Sequence, residues 1–95
     1  MSYSLIFTDS YKKRAQRFAK QHPELKEQYR KTLLLLAQNP YHPSLRIKPM
    51  KGFSGVWEGH VTRGYVFTFH RIEDESGEII FEFRKIGKHD IYENP

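Results

Sequence analysis

The sequence predicts an α+β domain: an antiparallel sheet with a helical hairpin packed on one face, in the order β-α-α-β-β-β. Three observations lead there. An alternating apolar stretch opens the chain, two helical stripes fill residues 10–39, and three more strand-like stretches fill residues 56–87. With 95 residues, the chain has room for a single domain, residues 1–95, around one core.

The opening stretch SYSLIFT, residues 2–8, places Tyr3, Leu5 and Phe7 on one face of a strand. Thr8, Asp9 and Ser10 follow, and each has a side-chain oxygen able to accept from the free N–H groups of a first helical turn. In residues 10–22, Tyr11, Ala15, Phe18 and Ala19 recur at helical spacing, which leaves Lys and Arg on the wet face. Pro23 suits the first turn of a second helix. That helix carries Leu25, Tyr29, Thr32, Leu33 and Leu36 on one stripe and stops at Asn39-Pro40, because a residue before proline avoids the helical region. Residues 40–55 read as a Pro- and Gly-rich loop. Strands are predicted over 56–62, 64–73 and 77–87, joined by Arg63-Gly64 and by the EDESG turn of residues 73–77.

Composition narrows the function. No apolar run approaches the roughly 20 residues that span a bilayer, so no membrane association is expected. The chain has no cysteine, which removes disulfides and thiolate metal sites, and a cytoplasmic location is the expectation. The five histidines (22, 42, 60, 70 and 89) show no ligand spacing, so neither a metal nor another cofactor is expected. The serines form no Gly-x-Ser-x-Gly elbow, and no Gly-rich nucleotide loop is present.

Sixteen Lys and Arg against eleven Asp and Glu give a net charge of +5, which suits phosphate backbones or acidic protein partners. Arg46, Lys48 and Lys51 lie in the loop that enters the sheet, Arg63 at the first hairpin, and Arg84, Lys85 and Lys88 on or just after the last strand. Aromatics interleave with them. Strand spacing assigns most of these rings to the core, while Trp57 and Tyr65 stay open to base stacking. His60 shares a strand face with Glu58, since side chains alternate along a strand. His89 leaves the last strand between Lys88 and Asp90, with Tyr92 close behind. An imidazole can give or take a proton under cellular conditions, and metal-free RNA cleavage needs such a carrier next to cations. A local hydrogen-bonding role for His89 is the plainer alternative.

In KPMKGFSGVWEGHV, GYVFTF and above all KIGKHDIY, the chain resembles the RelE/ParE superfamily of bacterial toxins over nearly its whole length. The resemblance implies a RelE-like compact RNase fold and a ribosome-dependent mRNA interferase that works in the ribosomal A site. It also implies a cognate antitoxin partner. The implied reaction is attack by a 2′-OH on its own phosphate, leaving a 2′,3′-cyclic phosphate and a 5′-OH. Carried over by position, His89 matches the proton-transfer or charge-stabilising residue, and His60 a substrate-facing basic position. Arg63 and Arg84 complete the implied catalytic set. Arg46, Lys48, Lys51, Lys85, Lys88 and Tyr92 are the implied RNA contacts. One position departs: where the resemblance implies Tyr-Arg, this chain has Tyr65-Val66. That leaves three outcomes open: a nearby cation such as Arg63 substitutes for the phosphate-holding arginine from a different geometry, the protein cleaves weakly, or it does not cleave. A non-cleaving toxin that acts on gyrase and a basic nucleic-acid-binding module without catalysis are the two other readings.

Overall fold

A computed structural model describes residues 3–95; Met1 and Ser2, the latter the first residue of the predicted opening strand, lie outside the described residues. The chain runs through β1 (Tyr3–Phe7), α1 (Asp9–Gln21), α2 (Lys26–Gln38), β2 (Lys48–Pro49), β3 (Val56–His60), β4 (Val66–Glu73) and β5 (Ile79–Gly87). Short 3-10 turns occupy Pro23–Leu25, Pro43–Leu45 and His89–Glu93. The strands form one sheet in the order β1-β5-β4-β3-β2.

The α+β class and the predicted order of the main elements hold. β2 to β5 are antiparallel to one another, whereas β1 lies parallel to β5. The sheet is therefore mixed. Parallel pairing needs a crossover connection, and here most of the chain forms it. The helical hairpin carries the chain over to the far edge, and the antiparallel strands walk back toward β1. At β2 the sequence predicts loop. The strand is two residues long and contains Pro49, which lacks a ladder donor and fits only a sheet edge.

Local chemistry fixes the elements. The Thr8 hydroxyl accepts from the Tyr11 N–H at 3.2 Å and donates to the Phe83 carbonyl at 3.1 Å, so the cap of α1 is tied to β5. The Tyr11 and Tyr29 hydroxyls meet at 2.8 Å and join the two helices. The Asp74 carboxylate accepts from the Ser76 hydroxyl and from the Ser76 and Glu78 N–H groups. The acidic hairpin tip is thus an Asx-type turn.

The helices cover the inner face of the sheet, where Phe67, Phe69, Phe81 and Phe83 pack with Tyr11, Phe18 and Leu36. Trp57 also packs against this core, with the Arg71 guanidinium 5.6 Å from its ring centre. Gly59 sits on the same inner face, opposite Phe67. A β-carbon there would fall 2.4 Å from the Phe67 ring and 2.7 Å from Ile47. Phe67 is fully buried and has nowhere to move. Gly59→Ala is expected to destabilise the fold by about 1–3 kcal/mol, the range for overpacked cores, read as a lower urea midpoint. An unchanged midpoint would show that the inner face can relax.

Candidate active site on the outer sheet face

Neither α1 nor α2 covers the outer face of the sheet. Along β3, residues alternate, so Val56, Glu58 and His60 face outward; their cross-strand partners His70, Thr68 and Val66 do the same. After β5, the chain folds back over this face. The 3-10 turn His89–Glu93 brings His89 and Tyr92 to one concavity with Arg46, Ile47, Lys48, Glu58 and His60, a space of about 460 Å³.

The charges here are arranged. Glu58 is only 5% exposed, yet it lies 3.4 Å from the Lys48 ammonium and 3.8 Å from His60 Nε2. Lys48 reaches it because the β2–β3 register pairs the two residues directly. Arg46 holds a left-handed backbone, with φ of 50°, at the end of the Pro43–Leu45 turn. Such a conformation costs a non-glycine residue about 1–3 kcal/mol, and residues of this kind gather at functional sites.

His89 is exposed, and its Nε2 lies 3.0 Å from the Arg63 carbonyl oxygen. A carbonyl only accepts, so Nε2 carries the proton, and in the neutral ring Nδ1 keeps a free lone pair. The His89 ring meets Tyr92 edge-on at 5.2 Å and stands 6.2 Å from the His60 ring. Burial and, after it, the Glu58 carboxylate push the Tyr92 phenol up to about 12, so it stays protonated.

Three buried polar side-chain atoms lack a partner at hydrogen-bonding geometry among the described residues: His60 Nδ1, Thr68 Oγ1 and the Tyr92 hydroxyl. Folded proteins pair such atoms almost without exception. All three belong to this patch of the outer face: Thr68 pairs with Glu58 across the sheet, and His60 and Tyr92 line the concavity.

Burial, its largest influence, holds His60 below the ordinary histidine value of 6.5, against the upward pull of Glu58. The unfolded chain therefore binds more protons near pH 6 than the folded one. Stability from this group is complete above about pH 6.5 and falls as the pH drops through that value. Denaturant melts from pH 7.5 to 5.5 should show a smaller loss for His60→Gln than for wild type. Parallel curves would remove His60 from the account.

The sequence-derived residues divide into groups. Arg46, Lys48, His60, His89 and Tyr92 come together, and Arg63 joins through its carbonyl, while its side chain lines a neighbouring concavity with Arg46 and His60. Arg84 and Lys85 lie elsewhere. The ladder slips between Thr68 and Phe69, so Lys85 pairs with Thr68, Phe83 pairs with Phe69, and Arg84 is the extra residue of a bulge. Its Nε donates to the Pro95 carbonyl at 2.9 Å, and Arg84 and Lys85 share a separate concavity with Phe53, Val56, Asn94 and Pro95. Lys51 is exposed in the turn before β3, and Lys88 faces a different groove. Val66 is fully buried on the outer face, opposite His60, so the position at which the resemblance implies an arginine lies beneath the site itself. Sequence reading placed Glu58 only as a neighbour of His60. Its pairing with Lys48 is the signal that was missed.

The fold is one that bacterial toxins of toxin–antitoxin systems adopt. A YoeB/ParE toxin from Agrobacterium tumefaciens superposes with a TM-score of 0.71 at 18% identity, over 90% of this chain and 98% of that one. The E. coli DinJ-YafQ toxin-antitoxin complex contains a chain that matches with a TM-score of 0.68 at 16% identity, over 95% of this chain and 96% of that one. A copper-bound mutant toxin from Helicobacter pylori matches with a TM-score of 0.68 at 18% identity, over 92% and 94% of the two chains. No protein-family model and no curated protein matches the sequence. At these identities the likeness is one of fold.

Proposed function

We propose that the protein is a toxin of a toxin–antitoxin pair that cleaves mRNA on the ribosome without a metal, and that the outer-face concavity is its active site. The observation that carries this reading is the convergence of His89, His60, Glu58, Lys48, Arg46 and Tyr92 on one concavity of the outer face. The fold shared with solved toxins and the net charge of +5 support it.

The Arg63 carbonyl fixes the His89 ring, and the free Nδ1 takes the proton of the 2′-OH as its oxygen attacks the adjacent phosphorus. The bond from phosphorus to the 5′ oxygen breaks, and the departing oxygen takes a proton from water. Tyr92, its buried hydroxyl protonated beside Glu58, packs edge-on against the His89 ring and holds it in place. Lys48 and Arg46 hold the charge of the phosphorane, the task for which the Tyr-Arg pair of the resemblance has no residue here. Glu58 keeps Lys48 in place from below and lowers the charge cost of bringing two cations together. Lys51, Arg84, Lys85 and Lys88 lie outside this centre and add to the positive field that attracts RNA. An acidic antitoxin surface is the chemistry that would cover it.

The products distinguish this route from a metal-dependent one. Fragments of a reporter mRNA made in a cell-free translation reaction should carry 5′-OH ends, which polynucleotide kinase labels without prior phosphatase treatment. Ends that need phosphatase first would contradict 2′-OH attack.

A further inference from the structure

A second groove lies on the other side of the His89–Glu93 turn, with a volume of about 330 Å³. One wall is α1, which presents Arg14, Arg17 and Gln21 at spacings of three and four, so they line one side of the helix. Gly87, Lys88, Asp90 and Ile91 from the end of β5 and the turn after it also line the groove, as does Tyr65, whose ring centre lies 4.6 Å from that of His22. Arg14 and Arg17 are exposed, and the groove sets three Lys or Arg cations against one carboxylate.

None of Arg14, Arg17 and Lys88 makes a salt bridge or a side-chain hydrogen bond among the described residues. Three cations that converge on a concavity without internal partners repel one another and concentrate a field that an anion would relieve. Two guanidiniums one turn apart offer planar forks of donors suited to phosphate oxygens. The groove also adjoins the proposed active site through a single turn: Lys88 and Asp90 face one side, His89 and Tyr92 the other. An RNA strand that crosses this turn would meet both concavities.

We propose that the groove is a second RNA subsite that takes a backbone phosphate flanking the cleaved bond, with Arg14 and Arg17 as its clamp. The inference rests on the RNA-cleaving reading for its position along the strand, but the binding it predicts is measurable without cleavage. Fluorescence anisotropy would compare a trinucleotide and a hexanucleotide, both 2′-O-methylated so that no nucleophile is present. The proteins would be wild type, Arg14→Gln/Arg17→Gln and His89→Ala, each first confirmed as folded by circular dichroism.

Wild type should bind the hexamer about tenfold more tightly than the trimer. The double arginine variant should lose that increment while its trimer affinity changes less than about twofold. Its salt slope on the hexamer should flatten by about 0.7, the value for one single-strand phosphate. His89→Ala should keep the increment. No gain with length in wild type, or a gain that survives in the arginine variant, overturns the subsite and leaves the catalytic reading standing. An equal Arg14- and Arg17-dependent loss of affinity for a polyglutamate peptide assigns the groove to an acidic protein and also overturns it. If the increment behaves as expected while wild type cuts no mRNA, the subsite stands and the catalytic reading fails.

Discussion

His89→Ala is expected to lower the rate of mRNA cleavage by about 10²–10⁴-fold, the usual contribution of a positioned proton carrier. The fold should survive, because the His89 side chain is exposed and its one hydrogen bond goes to the Arg63 carbonyl, which water can satisfy in the variant. Single-turnover cleavage of mRNA on purified ribosomes, with saturating protein, separates chemistry from binding. The loss should appear in the rate at saturation, and half-saturation should move little. A variant that cuts at the wild-type rate would move proton abstraction to His60, which shares the concavity. A variant that loses binding instead would make His89 an RNA contact.

Phe83→Ala should cost about 3–5 kcal/mol, the range for an aromatic ring removed from a packed core. Phe83 is fully buried where β1, α1 and β4 meet β5, with ring centres of Phe7, Tyr11 and Phe67 at 4.8, 5.1 and 5.5 Å. Its carbonyl accepts from Thr8, so the same residue anchors the cap of α1. Domains of this size hold about 5–15 kcal/mol in all, so the variant should lose a large share of its stability. Urea unfolding followed by circular dichroism should show a lower midpoint with an unchanged slope. A shift below about 1 kcal/mol would mean that the cavity closes by collapse of its neighbours. Phe53→Ala, at a ring 39% exposed, is the control and should shift the midpoint little.

Much of the scaffold was legible because it is written locally. A cap within Thr8–Ser10, the helical stripes with Tyr11, Phe18 and Leu36, the stop at Asn39-Pro40 and a tight turn over residues 73–77 each follow from a few neighbouring residues, though which cap is used and the role of Asp74 do not. The parallel partner of β1 was not legible, since strand choice is settled by how the whole chain closes over the core. The two-residue β2 was hidden by its own proline, which reads as loop until an adjacent strand is known.

The candidate site was half legible for the same reason. His89, Tyr92, Lys48 and Arg46 stood out by residue type and by position near loops and the last turn. Three features depend on contacts across space: Glu58 beneath Lys48, the Arg63 carbonyl under His89, and the bulge that turns Arg84 toward Pro95. The burial of Val66 beside His60 needed the sheet register as well. Residue type names the candidates; register and turn geometry decide which of them meet.

The most direct test of the account is primer extension on a reporter mRNA in a reconstituted translation reaction, run with and without ribosomes, for wild type and His89→Ala. The account predicts discrete cuts within the translated region that need ribosomes and disappear with His89→Ala. Intact mRNA in the presence of wild-type protein and active ribosomes would contradict it.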